Sequence, residues 1–157
     1  MTSRLTLVWL AAAAATLISL PAAAQTTVKN AWVRGTVPQQ KATGAFMQLQ
    51  SAQGGKLVSA TSPAAGVVEI HSMAMDGSTM RMRAVAAVDL PPGTAVDLQP
   101  GGLHVMLMDL KAPLKAGDSV ALSLVIEGKN GKRETLTLNA PVRALGSDAA
   151  APRSSKP

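Results

Sequence analysis

The chain of 157 residues contains no cysteine and no tyrosine, and only one phenylalanine and two tryptophans. Without cysteine there is no disulfide and no thiolate metal ligand, and the residue that carries a bacterial lipid anchor is missing. A blue-copper electron-transfer centre, which needs His₂Cys, is excluded with it. The scarcity of aromatic side chains leaves no stacking platform for single-stranded nucleic acid. Net charge is +6 with a pI of about 10.2, but the lysines and arginines are scattered singly, so no nucleic-acid partner is expected. Such a surface steers a protein toward acidic partners or anionic headgroups, or simply keeps it soluble. No G-x-S-x-G nucleophile motif occurs. Both histidines lie among methionines rather than in an acid–base constellation, so the chain does not read as an enzyme.

The ends read as separate from the fold. Arg4 begins a positive n-region, Leu5 to Leu20 is an apolar run, and Pro21-Ala22-Ala23-Ala24 supplies a small-residue cleavage site. Residues 1–24 are therefore expected to be a cleaved signal peptide, with a mature protein that begins at Gln25 in the periplasm. The competing reading, an uncleaved membrane anchor, is weakened by a run somewhat short of the roughly 20 residues a span requires. From Gly146 to Pro157 the composition cannot bury a core, and a disordered tail without His or Met is expected there. Residues 25–145 then form one domain, large enough for a core without staples. Its aromatics are Trp32 and Phe46 alone, so Val, Leu, Ile and Met must fill the interior.

What is present is short apolar runs separated by turn residues, with no sustained helical period. Strands are expected at Val28–Arg34, Gly44–Gln50, Lys56–Thr61, Val67–Met75, Thr79–Ala84, Ala95–Leu98, Leu103–Leu110, Ser119–Glu127 and Glu134–Leu138. Asp76-Gly77 and Asn130-Gly131 are hairpin signals because these residues tolerate positive φ. In the last hairpin Leu122, Leu124 and Ile126 alternate with Ala121, Ser123 and Val125. Many short strands with regular turns argue for an all-β sandwich or barrel.

Two segments break the usual amphipathic pattern. One reads Glu69-Ile70-His71-Ser72-Met73-Ala74-Met75, followed by Met80-Arg81-Met82; the other reads Leu103-His104-Val105-Met106-Leu107-Met108. Every second side chain of a strand points the same way. His104, Met106 and Met108 share a face, as do His71, Met73 and Met75, and also Met80 and Met82. A single strand methionine is ordinarily core filler, and a lone histidine is ordinarily structural. Here, however, Leu103, Val105 and Leu107 already supply a core face opposite His104, Met106 and Met108. Imidazole and thioether together suit soft Cu(I), whereas Zn²⁺ prefers thiolate, imidazole and carboxylate. Uncharged thioethers bind more weakly than thiolates, which suits a carrier more than a permanent cofactor site.

The spacing His71, ten residues, Met82, twenty-one residues, His104, one residue, Met106 resembles the H-x10-M-x21-H-x-M pattern of the PCuAC family of periplasmic copper chaperones. Ala31-Trp32-Val33-Arg34, Gly44-Ala45-Phe46-Met47, Val68-Glu69-Ile70-His71, Leu90-Pro91-Pro92-Gly93 and Pro100-Gly101-Gly102-Leu103-His104-Val105-Met106-Leu107-Met108 extend the resemblance over Val28 to Pro141. It implies a cupredoxin-like Greek-key β-sandwich that binds one Cu(I) through His71, Met82, His104 and Met106. It also implies a monomer delivering copper toward the CuA site of cytochrome c oxidase, alongside SCO-type thiol proteins. Periplasmic copper storage or resistance is the alternative, although one site makes a poor store. Met73 and Met80 are expected to shield the site or serve as transient ligands. Glu69 and Asp109 are candidates for orienting the imidazoles.

Overall fold

The computed structural model describes residues 25–147. The expected leader, 1–24, lies outside the described residues, as does all of the expected tail beyond Ser147. Ten strands follow in chain order: β1 Thr26–Arg34, β2 Ala42–Ser51, β3 Gly55–Thr61, β4 Ala65–Asp76 and β5 Thr79–Ala84, then β6 Val88–Leu90, β7 Ala95–Leu98, β8 His104–Leu110, β9 Ser119–Gly128 and β10 Arg133–Arg143. No α-helix occurs among the described residues.

Hydrogen bonding runs in the order β5-β4-β8-β2-β1-β10-β9-β3-β6, with β7 also paired to β2. The sheet folds on itself where β1 and β10 meet in a short parallel pairing, Val33 with Val142 and Arg34 with Arg143. The two halves enclose one core. Val33, Ala45, Leu49, Ile70, Val105 and Leu107 come from the first half, and Leu57, Leu122, Leu124, Ile126 and Val142 from the second. This is the expected all-β sandwich.

Local residue choice sets the register. In β1 a bulge between Lys29 and Trp32, with Asn30 at φ 53°, inserts one residue against β2. It shifts the inward position from Val28 before the bulge to Val33 after it, turning Trp32 and Arg34 to the outer face. The β4–β5 hairpin closes between Asp76 and Thr79 on a two-residue loop, with Gly77 at φ 66°. That conformation is open to glycine without steric penalty.

Two expectations need correction. β6 was not expected; it is three residues long, too short to show alternation, yet Val88 and Leu90 are buried against β3. β10 runs on to Arg143, well past Leu138, because Pro141 does not end it. Beyond the proline, the Val142 N–H donates to the Asp118 carbonyl at 2.8 Å, and the Ala140 and Val142 side chains are buried in the core.

Candidate metal centre

The register of three strands gathers the His and Met side chains. β4 lies between β5 and β8. Across β4 and β8, His71 opposes His104, Glu69 opposes Met106 and Val67 opposes Met108. Across β4 and β5, Met73 opposes Met82 and Met75 opposes Met80. Directly opposed residues of an antiparallel pair project to the same side of the sheet. Both histidines and six methionines therefore stand on one outer face, while Ile70, Val105 and Leu107 point into the core. β2 borders this face with Gly44 opposite Met106.

Each imidazole is held at one nitrogen. Gln99-Pro100-Gly101-Gly102 forms a tight turn in which the Gly102 N–H donates to the Gln99 carbonyl at 3.0 Å, with Gly101 at φ 82°. Proline at the second position and positive-φ glycine at the third are the residues a type II turn requires. The turn presents the Gly102 carbonyl to two donors, the Met73 N–H at 3.2 Å and Nδ1 of His104 at 3.0 Å. A carbonyl can only accept, so Nδ1 carries the proton and Nε2 the lone pair. His104 is only 4% exposed. Burial pushes its pKa below the ordinary histidine value; the Gly102 carbonyl opposes this, and the nearby charges of His71 and Arg34 add to the lowering. The ring is thus kept neutral, the form that ligates metal.

His71 is held the other way round. Its Nε2 donates to Oε2 of Glu69 at 2.8 Å, and its Nδ1 is buried without a hydrogen-bond partner. A buried ring nitrogen without a partner is a polar atom whose bonding is left unmet within the protein. The two rings lie 5.9 Å apart between centroids, close to edge-on at 67°. Metal-bound histidines ordinarily have their second nitrogen fixed by a carbonyl or carboxylate, as both are here.

An aromatic wall closes one side. The Phe46 ring lies 6.2 Å from that of His104 and 4.6 Å from Trp32, with the Arg34 guanidinium over Phe46 and that of Arg143 over Trp32. Gly44 makes room for this ring, since a Cβ there would come within 2.7 Å of it. None of these four side chains was assigned to the site from sequence. Strand alternation carried the signal: Ala45, Met47 and Leu49 take the core face of β2, which leaves Phe46 on the other.

Arg34, Gly44 and Phe46 line a cleft of about 160 Å³ together with Met73, Met82, His104 and Met106. Of the four expected ligands, His104, Met82 and Met106 meet in this cleft, and His71 stands against the His104 ring. Met82 remains 46% exposed, giving the cleft a thioether at its solvent side. Met73 lines the cleft as expected, whereas Met80 does not. Met80 pairs with Met75 near the end of the hairpin, and Met108 sits along the sheet opposite Val67. Glu69 orients His71 as expected. Asp109 does not serve the imidazoles: at φ 53° its side chain packs over Gly66, far along β8 from His104. Among the described residues no three His, Cys, Asp or Glu side chains converge; what converges is nitrogen and thioether sulfur.

Residues 26–142 match the model of the LpqE-like family. The chain belongs to this family. One relative, Lxx21020 of Leifsonia xyli subsp. xyli, is named as a lipoprotein; it is 35% identical over 118 residues, which cover 68% of this chain and 70% of that protein. Among solved structures, the apo PCuAC domain from PmoF1 is 27% identical with a TM-score of 0.62, covering 76% of this chain and 94% of the domain. The Cu(I) form of DR1885 from Deinococcus radiodurans is 35% identical with a TM-score of 0.56, covering 82% of this chain and 83% of that one. The LpqE-like chain thus has the cupredoxin-like β fold of PCuAC domains.

Proposed function

We propose that this protein is an exported copper chaperone that binds one Cu(I) through His71, Met82, His104 and Met106. The observation that carries the reading is the pair of facing imidazoles, His104 tied at Nδ1 and His71 tied at Nε2 with its Nδ1 buried and unpartnered, beside a thioether-lined cleft. Two imidazoles and two thioethers make a soft, uncharged donor set that suits Cu(I) and binds Zn²⁺ poorly. The Cu(I) form of DR1885 supports the choice of ion.

Glu69 and the Gly102 carbonyl fix the ring orientations, so little ordering remains to be done when the ion binds. Phe46 shields one side of His104, and the exposed Met82 leaves the other side open. Thioethers carry no charge and release copper more readily than thiolates do. An acceptor offering cysteines, such as the CuA subunit of cytochrome c oxidase or an SCO-type thiol protein, takes the ion by ligand exchange. The protein itself carries out no catalytic step. The leader sequence and the lipoprotein name of the relative support export to the periplasm, where the basic surface favours acidic acceptor faces.

X-ray absorption of the Cu(I)-loaded protein tests the ligand set. It should show sulfur and imidazole scatterers in equal number, and the sulfur shell should shrink in Met82→Leu. A first shell of nitrogen and oxygen alone would contradict the assignment.

A further inference from the structure

Beyond the four-ligand cleft, the outer face carries one rung that the proposed function leaves unused. Met75 and Met80 are directly opposed at the end of the β4–β5 hairpin. They are 62% and 50% exposed, and neither belongs to the hydrophobic core. Core filling therefore accounts for neither. Facing side chains of an antiparallel pair have Cβ atoms roughly 4.5–5.5 Å apart, so two flexible methionine side chains can close their sulfurs on one ion. The next rung inward is Met73 with Met82, roughly 7 Å along the strand from two steps of about 3.4 Å each, and both of its side chains line the cleft.

The reverse face of the same hairpin keeps the cations away from these sulfurs. The Asp76 carboxylate accepts from Arg81 at 3.0 Å and lies 3.5 Å from Arg83. Arg81 and Arg83 alternate with Met80 and Met82 along β5, so their side chains leave the opposite side of the sheet. The methionine face of the hairpin is left uncharged and open to solvent.

We propose that Met75 and Met80, with Met73 as a shared third thioether, form a second and weaker soft-metal station at the hairpin end, one rung out from the His/Met cleft. The inference deepens the proposed function and rests on it for the identity of the cargo. The ion passes between the rungs as Cu(I): one thioether lone pair replaces another, no electron is transferred and no proton moves. The station thereby places a loosely held ion at the exposed end of the face, where an acceptor can reach it.

The test is a titration of the full chain, labelled with ¹³C at the methionine methyls, with Ag(I) in chloride-free buffer as a redox-inert soft ion. The Met82 and Met106 methyls should shift with the first equivalent and those of Met75 and Met80 with the second. Met75→Leu/Met80→Leu, changed only at exposed positions, should lose the second equivalent and keep the first. Met75 and Met80 methyls that stay still, or a second equivalent that survives in the double variant, would overturn the station. Movement of Met75 and Met80 beside an unmoved Met106 would leave the station standing and remove the His/Met cleft instead.

Discussion

The molecule contains two well-paired hairpins whose outer faces carry opposite chemistry. On β9–β10 the outward pairs are Glu127 with Arg133, Val125 with Thr135, Ser123 with Thr137 and Ala121 with Asn139. Glu127 and Arg133 bond at 3.0 Å, and the Ser123 and Thr137 hydroxyls meet at 3.5 Å. This is an ordinary solvated sheet surface. On β4–β5 and the adjoining β8, the equivalent positions hold His71 with His104, Met73 with Met82 and Met75 with Met80. Behind His71 and His104 lies the same kind of apolar core, from Ile70, Val105 and Leu107, as behind the β9–β10 surface, so packing there does not demand the difference. Thioethers stand there where Ser, Thr and Arg would serve, which singles this face out as the candidate site.

The sharpest way to break the comparison is to cut through β8, whose two faces are assigned different tasks. Leu107→Ala should cost about 2–5 kcal/mol of stability, because it opens a cavity in the core, and should leave the Cu(I) affinity of the folded fraction unchanged. Met106→Leu should do the reverse, shifting stability by less than about 1.5 kcal/mol while weakening Cu(I) binding. Denaturant unfolding alongside competition with a Cu(I) chelator separates the two.

Glu69→Ala should weaken Cu(I) binding by about 10- to 100-fold, the range seen when the partner of a metal-bound histidine is removed. The same change should release the His71 tautomer, which ring-nitrogen chemical shifts will show. A residue serving only the surface would alter neither.

Acidification sharpens the contrast more gently. Burial lowers the pKa of His104 below its ordinary value of 6.5, so between that value and the folded one the unfolded chain binds more protons than the folded chain. Stability therefore rises with pH across this window and falls as the pH drops below 6.5 through the folded value. The contribution of His104 to copper binding should likewise persist at pH 6.5 and fade only at lower pH. Unfolding midpoints measured in His104→Gln should lose this component of the slope.

The smallest effects belong to the edges of the comparison. Met73→Leu should slow transfer of copper to an acceptor while changing affinity little, and a large affinity loss would make Met73 a ligand. Ser123→Val, on the solvated hairpin, should move both stability and copper affinity within about 0.5 kcal/mol.

Much of this contrast is legible in the chain. Leu122, Leu124 and Ile126 alternating with Ala121, Ser123 and Val125 mark an amphipathic strand, and the His-x-Met-x-Met repeats mark a strand with two non-polar faces of different kinds. Gly77 and the Pro100-Gly101-Gly102 turn announce themselves by residue type, since positive φ is costly elsewhere. Other features depend on pairing, which local sequence does not encode. Nothing in the chain says that His71 opposes His104, that the bulge at Asn30 turns Trp32 outward, or that Phe46 lies against the buried imidazole. The run of β10 past Leu138 through Pro141 is not legible locally either, since the missing proline N–H matters only if that position must donate, and in β10 it need not. Glu69 lies two residues from His71 and Asp109 five from His104, so strand parity keeps Glu69 on the imidazole face and turns Asp109 to the other.

The most direct test of the account is a Cu(I) titration of the chain from Gln25 against a chromophoric chelator, beside a His104→Ala/Met106→Ala variant and a Ser123→Ala/Thr137→Ala variant from the opposite hairpin. The parent should bind one tight equivalent, the first variant should lose it and the second should retain it in full. An equivalent that survives in His104→Ala/Met106→Ala, or a parent that cannot compete with the chelator, would contradict the account.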